Sequence, residues 1–132
     1  KVRFPGSGGG CDVTSFVPKS IIFMQQEKRK FVHELDYMTS PGYLQGGNSR
    51  TEAGLPPGGP SAVVTNMGIL RFETESKRMY LAGCYPGIDP DEITKNTGFA
   101  LDTSRTQAVP PPTGQELDIL RTQCDPHRLI CN

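Results

Sequence analysis

The sequence predicts an α/β fold in which helices flank an open sheet that contains an antiparallel meander. Three observations support this fold class. Apolar runs of strand length recur between residues 19 and 85, and a glycine-containing turn separates two of them. Helix-opening patterns occur before and after these runs. The 15 glycines and 12 prolines predict many turns, while 132 residues is the length of one domain.

The amino-terminal elements are predicted in this order. Residues 2–5 form a short extended segment that leads into a glycine-rich stretch, and a brief helix at residues 11–17 begins at Asp12. Residues 19–25 hold an apolar run that predicts a strand buried on both faces. Residues 30–39 alternate in polarity, and their β-branched and aromatic content favours a strand over the competing helix.

The middle of the chain predicts a long loop followed by the meander. Residues 43–60 are rich in Gly and Pro and are interpreted as one long loop. Residues 62–65 and 69–72 flank a turn that ends in Gly68, which predicts a hairpin. A third strand at residues 78–85 completes an antiparallel meander.

The last third predicts two helices. Asp89 and Pro90 form a helix opening, and Gly98 is predicted as the glycine that follows the end of this helix. Residues 113–116 (TGQE) match a capping box, which predicts a second helix. We therefore assign residues 113–132 to a carboxy-terminal helix and tail.

Charge and composition exclude some classes of function. The 14 basic and 14 acidic side chains give a formal net charge of zero, so we expect no nucleic-acid partner. The basic residues 28–30 are interpreted as a solvated turn. No apolar run has the length needed to cross a bilayer, and no signal peptide is visible, so we expect no membrane association.

Cysteine spacing indicates the compartment. The four cysteines form no CxxC pair, and neither histidine lies at zinc-ligand spacing from a cysteine pair, so no metal is expected. Reduced thiols in the cytoplasm are the interpretation that we adopt. The chain starts at Lys1 without an initiator Met, and we interpret it as a piece of a larger protein.

The glycine segment is the candidate site for chemistry. Glycines leave backbone N–H groups unshielded by any Cβ, and a helix is predicted behind them, so the segment can hold an anion or an oxygen that gains negative charge. A plain tight turn is the competing interpretation. The spacing matches neither a dinucleotide-binding loop nor a P-loop. The site comprises Gly6, Ser7, Gly8, Gly9 and Gly10.

No catalytic constellation of side chains is predicted. His33 is interpreted as a surface or core histidine, since neighbouring acids on a strand face the other way. Ser7 has no placed histidine partner. Four glutamates in predicted turns and loops are interpreted as solvated carboxylates rather than nucleophiles; these are Glu27, Glu52, Glu73 and Glu75.

Six segments together resemble a known family. They read FPGSGGG at 4–10, QQEKRKF at 25–31, DYMTSPG at 36–42, VVTNMGILRF at 63–72, KRMYLA at 77–82 and EITKNTGF at 92–99. In this order they resemble the carboxy-terminal half of the beta subunit in family I CoA-transferases of the glutaconate type. The resemblance covers nearly the whole chain and weakens within residues 43–60 and after residue 103. Residues 10–12 (GCD) depart from the pattern, which leaves the acyl substrate open.

The resemblance implies a fold, a reaction and a partner. The fold would be the open α/β sheet of family I CoA-transferases, present here as a partial domain, and the partner would be an alpha subunit. The substrates would be an acyl-CoA thioester and a carboxylic acid, with no bound cofactor. A glutamate would form a glutamyl-CoA intermediate by covalent catalysis, and this nucleophile is expected upstream of the chain. Residues 6–10 would lie at the active site and supply an oxyanion N–H group.

Two alternatives stay open at this point. Relatives of this family act as acyl-CoA hydrolases or ring-opening enzymes. The chain alone would also be an inactive structural fragment if both the partner and the nucleophile are needed for turnover.

Overall fold

A computed structural model describes residues 6–129 of the chain, which form one mixed sheet with helices around it. The strands are β1 (Ser20–Phe23), β2 (Pro60–Val64), β3 (Gly68–Phe72), β4 (Met79–Cys84) and β5 (Gln107–Ala108). They lie in the order β1-β2-β3-β4-β5. The outer pairs are parallel and the two inner pairs are antiparallel. The predicted fold class is confirmed, whereas the extended segment predicted at residues 2–5 lies outside the described residues.

The predicted meander is confirmed as β2, β3 and β4. The hairpin pairs Val63 with Leu70, and its turn is closed by the Thr65 hydroxyl, which accepts hydrogen bonds from the N–H groups of Met67 and Gly68 at 3.1 Å. A Cβ at Gly68 would lie 2.4 Å from the Gly83 carbonyl oxygen of β4. The glycine in this turn therefore allows close packing of two strands, in addition to forming the hairpin.

The hydrophobic core lies against the meander. Leu70 and Leu81 are fully buried, together with Ile93 from a helix between β4 and β5. Burying a side chain of this size stabilises a fold by about 1.5–3 kcal/mol. The buried core residues are Phe31, Val63, Met67, Leu70, Leu81, Cys84, Ile93 and Leu101.

The strand predicted at residues 30–39 is wrong. The segment forms turns and bends, and it begins with N–H groups of Lys30 and Phe31 that donate to the Glu27 carbonyl. Phe31 alone enters the core, while residues 32–40 are exposed. The alternation did not produce a strand because no neighbouring strand pairs with this segment in the described chain.

The strand predicted at residues 19–25 is confirmed as β1, but the prediction that both of its faces are buried is wrong. Ile21 is 55% exposed and Phe23 is 76% exposed. The reason is that little of the described chain packs on either face of β1, since Ile22 on the opposite face is also 40% exposed.

Within residues 6–129, four α-helices accompany the sheet: α1 (Gly9–Phe16), α2 (Ser49–Glu52), α3 (Pro90–Lys95) and α4 (Gly114–Ile119), with a π-helical turn at Leu120–Cys124 after α4. The predicted Asp89 cap of α3 and the capping box of α4 are confirmed. The predicted start of α1 at Asp12 is wrong, since Gly8 is its N-cap. The short α2 lies within residues 43–60.

The predicted role of Gly98 is also wrong. The helix α3 ends with Asn96 as its C-cap, and Gly98 lacks the positive φ of a helix-terminating glycine. Its N–H group donates to the Phe31 carbonyl at 2.6 Å, and a Cβ would lie 2.5 Å from the same oxygen. Gly98 therefore allows close contact between the chain after α3 and the segment that contains Phe31.

Candidate functional site

The glycine segment is placed across the start of α1. Gly8 is the N-cap with φ 52° and ψ −147°, a conformation that strongly favours glycine, and Gly9 and Gly10 form the first turn of the helix. All five residues from 6 to 10 are exposed. A Cβ at Gly9 or Gly10 would meet no heavy atom within 4 Å. The segment is therefore an open surface of main-chain groups.

This surface can donate hydrogen bonds to an oxygen. The first N–H groups of a helix have no partner within the helix, and the helix dipole gives them a positive potential. One of them, Gly10 N–H, donates to the Ser7 carbonyl at 3.2 Å. The carboxylate of Asp12 adds negative charge in the same turn. The geometry therefore suits a carbonyl oxygen that gains partial charge better than a multiply charged phosphate.

The carboxyl terminus of α1 is held by Arg50 of α2. The Arg50 guanidinium is buried and donates to the carbonyls of Thr14 and Ser15, at 3.2 and 2.5 Å. Sequence reasoning missed this residue. Its only signal is a single cation within a loop rich in glycine and proline.

A shallow depression of about 580 Å³ lies at the carboxyl ends of the parallel strands β1 and β2. Ligands of open α/β sheets bind outside the carboxyl ends of strands, so this depression is a second candidate site. Lys30 and Asn66 contribute polar groups to its lining. The Asn66 side-chain oxygen accepts a hydrogen bond from Gln26 N–H at 2.8 Å, which fixes the chain after β1.

A buried polar contact lies just after the carboxyl end of β1, and the sequence did not predict it. Gln26 Nε2 donates to the Thr97 hydroxyl at 3.0 Å, and that hydroxyl donates to the Ile93 carbonyl at 2.8 Å. The Gln26 side-chain oxygen is buried without a hydrogen-bond partner. The contact ties the end of β1 to the end of α3.

The other side chains considered in the sequence do not form a catalytic group. His33 is exposed in a bend rather than on a strand. Residues 28–30 form a turn in which Lys28 and Arg29 are exposed, which confirms the interpretation of a solvated turn. Hydrogen bonds from Lys30 and Arg29 lower the pKa of Glu27. Hydrogen bonds from Ser76 and Arg105 lower the pKa of Glu73.

The two remaining glutamates of the prediction are exposed, and one thiol within residues 6–129 has a raised pKa. Glu52 lies at the exposed end of α2 rather than in a loop, and Glu75 is exposed in a turn. Burial, with the charges of Asp89 and Glu92, raises the pKa of the Cys84 thiol. Within residues 6–129, Cys11, Cys84 and Cys124 form no disulfide.

No group of three or more His, Cys, Asp or Glu side chains could hold a metal ion within residues 6–129. None of the helices in this part of the chain is long and apolar enough to cross a membrane.

Comparison with known proteins adds a family match. The family model for coenzyme A transferase matches residues 1–96. Over 127 residues the chain is 43% identical to the B subunit of glutaconate CoA-transferase from Acidaminococcus fermentans, covering 96% of this chain and 47% of the relative. It is 34% identical over 122 residues to the B subunit of 3-oxoadipate CoA-transferase from Pseudomonas knackmussii, covering 92% of this chain and 47% of the relative.

A solved structure has the same fold. The crystal structure of glutaconate coenzyme A-transferase from Acidaminococcus fermentans superposes with a TM-score of 0.91 and 41% sequence identity. The match covers 100% of this chain and 51% of that chain. The chain thus spans about half the length of the relatives that it matches.

Proposed function

The chain belongs to the coenzyme A transferase family, and from that premise we propose that it is the carboxy-terminal half of a CoA-transferase beta subunit. The complete enzyme would move CoA between an acyl-CoA thioester and a carboxylic acid. Support comes from the two relatives above 30% identity, since each is the B subunit of a CoA-transferase.

The proposed reaction uses a glutamate outside this chain. Its carboxylate attacks the thioester carbon of the acyl-CoA and expels CoA thiolate, which gives an acyl-glutamyl anhydride. The thiolate then attacks the glutamyl carbonyl, releases the acid and leaves a glutamyl-CoA thioester. The acceptor acid reverses these steps, so the thioester energy is conserved in the product.

The glycine segment is proposed to stabilise the charge that develops during each attack. In every step a carbonyl oxygen gains negative charge, and main-chain N–H groups that already point to this position stabilise it without reorganisation. The observation that carries this role is the exposed first turn of α1, where Gly8 and Gly9 place no Cβ beside the main-chain N–H groups. One well-placed donor of this kind contributes about 3 kcal/mol.

Partner, substrates and compartment are part of the same proposal. Both relatives are B subunits, which supports an alpha subunit as partner. Glutaconate and 3-oxoadipate are both dicarboxylic acids, which supports a short dicarboxylic acid as one substrate. The free thiols of Cys11, Cys84 and Cys124 support a cytoplasmic location.

Replacing Gly9 with alanine in the full-length subunit, assembled with its partner, tests the role of the segment. The new Cβ has open space around it, and alanine favours a helix over glycine by up to about 1 kcal/mol, so stability is maintained or rises. We expect kcat to fall at least tenfold because the methyl group shields the N–H groups. Gly114→Ala is the matched control, since it makes the same change in the first turn of α4 and should leave kcat unaltered.

Unchanged kcat in Gly9→Ala would remove the segment from the mechanism. Gly8→Ala is a weaker probe, because the positive φ of Gly8 adds backbone strain of about 1–2 kcal/mol. A hydrolase would release free CoA thiol without an acceptor acid, whereas a transferase forms a new thioester, so thiol titration separates the two. Turnover by the chain alone would contradict the proposed dependence on the partner and the outside glutamate.

A further inference from the structure

Arg50 is a buried cation whose hydrogen-bond acceptors are all main-chain oxygens. It is 3% exposed, and none of the ion pairs within residues 6–129 includes it. Its Nε donates to the Pro56 carbonyl and its Nη1 to the Gly42 carbonyl, both at 2.9 Å. A buried charge is costly unless hydrogen bonds compensate it, so breaking these hydrogen bonds would be costly. Arg50 therefore holds the segments that contain Gly42 and Pro56 together.

The other two acceptors belong to the last turn of α1. Arg50 Nη2 donates to the carbonyls of Thr14 and Ser15, which have no hydrogen-bond donor within the helix. A cation at this end of a helix also interacts favourably with the helix dipole. Arg50 therefore binds α1 by its carboxyl terminus to the loop that contains α2.

The rest of α1 has few other attachments. Its buried residue is Ser15, whereas Val13 and Phe16 are 57% and 72% exposed. Among residues 6–129, the hydrogen bonds from Arg50 are those that reach α1 from a distant part of the chain. The orientation of α1 in the described chain thus depends strongly on this one side chain.

The glycine segment lies at the opposite end of the same helix. Eight residues of α-helix span about 12 Å, so a tilt of about 10° at the held end moves the first turn by about 2 Å. A displacement of about 1 Å of a catalytic group can cost about 100-fold in rate. The position of the Gly8–Gly10 N–H groups is therefore sensitive to the attachment of α1 at its other end.

We propose that Arg50 is a positioning residue, which orients the glycine segment by holding the carboxyl terminus of α1. This inference rests on the proposed role of that segment in stabilising an oxyanion. Arg50 itself does not touch the reacting atoms. Its effect should be on the transition state rather than on substrate binding, since the N–H groups act on charge that develops during the reaction.

The test uses Arg50→Lys and Arg50→Met in the full-length subunit assembled with its partner. Lysine keeps the charge but is a single point donor without the planar fork of arginine, so it holds fewer of the four carbonyls. We expect kcat to fall about tenfold in Arg50→Lys and about 100-fold in Arg50→Met, with little change in KM for the acyl-CoA. Glu52→Gln, at an exposed position of the same helix, is the control and should keep the original kcat.

Amide hydrogen exchange gives a readout that does not depend on activity. In Arg50→Lys, the amides of residues 9–16 should exchange faster, while those of β2, β3 and β4 keep their protection. Faster exchange throughout the sheet would overturn the proposal, because Arg50 would then support the whole fold rather than orient α1.

Combination with Gly9→Ala separates this proposal from the proposed function. If both residues act through the glycine segment, the double variant Arg50→Lys/Gly9→Ala loses less kcat than the product of the two single losses. Unchanged kcat in Gly9→Ala overturns the role of the segment. A lowered kcat in Gly9→Ala together with unchanged kcat in both Arg50 variants overturns the role of Arg50 alone.

Discussion

The β2–β4 meander and the amino-terminal region at residues 6–42 contribute to the same sheet but bury their apolar residues very differently. In the meander, Leu70 and Leu81 are fully buried. In the amino-terminal region, Phe16 and Phe23 are 72% and 76% exposed. Adjacent strands of the meander lie close in sequence and pair through main-chain hydrogen bonds. In contrast, β1 pairs with one strand, which lies about 40 residues away in the sequence. Exposed apolar side chains such as these are typical of a surface that contacts another molecule or another part of a protein.

The largest expected effect concerns the meander. Leu81→Ala leaves a cavity in the fully buried core, so we expect the free energy of unfolding to fall by about 2–5 kcal/mol, measured by urea denaturation of the chain. Phe23→Ala removes more side-chain atoms but at an exposed position, so it should cost less than about 0.5 kcal/mol. Equal losses in the two variants would contradict the contrast between the regions.

The same Phe23→Ala change in a full-length subunit sharpens the comparison. If the exposed face of β1 is covered in the full-length subunit, Phe23→Ala should lower the free energy of unfolding by more than in the shorter chain. The decrease should approach about 3–5 kcal/mol, the usual cost of replacing a buried Phe with Ala. An effect as small as in the shorter chain would show that Phe23 stays at the surface.

A smaller effect is expected where the amino-terminal region attaches to the core. Gly98→Ala would place a Cβ 2.5 Å from the Phe31 carbonyl, and the resulting shift should cost about 1–3 kcal/mol of stability. Gly114→Ala has open space around its Cβ and serves as the matched control, with no loss of stability expected. Thermal unfolding followed by circular dichroism distinguishes the two.

The smallest effect concerns α4, which belongs to neither region and depends on its own capping box. Hydrogen bonds from the Thr113 N–H and hydroxyl lower the pKa of Glu116 below its ordinary value of 4.5. The carboxylate therefore stabilises α4 above pH 4.5, and this contribution is lost as the pH falls through the lowered pKa of the folded state. Amide exchange in residues 114–119 should accelerate at acid pH, whereas Glu116→Gln should show a weaker dependence on pH over this range.

The sequence predicted the parts of the fold that are specified locally. The hairpin at Gly68, the cap at Asp89 and the capping box at Thr113 each depend on residues within a few positions of one another, and all are confirmed. The burial of β1 could not be predicted, because it depends on contacts with distant parts of the chain. The strand predicted at residues 30–39 failed for the same reason, since alternation in a sequence does not supply a partner strand.

The candidate site was predicted only in part. The glycine segment was visible because several glycines in succession are unusual, although its helix begins at Gly9 rather than Asp12. Arg50 was not visible, since its acceptors are main-chain carbonyls of residues up to 36 positions away. The contact between Gln26 and Thr97 spans 71 positions and has no sequence pattern either.

The contacts of Arg50 have a consequence for how this protein tolerates substitution. Every amino acid carries a main-chain carbonyl, so the positions that accept from Arg50 can change their side chains without losing the acceptor. No other side chain reproduces the planar set of donors that Arg50 provides. Divergent sequences of this fold should therefore retain the arginine more strictly than the side chains of the residues that it binds.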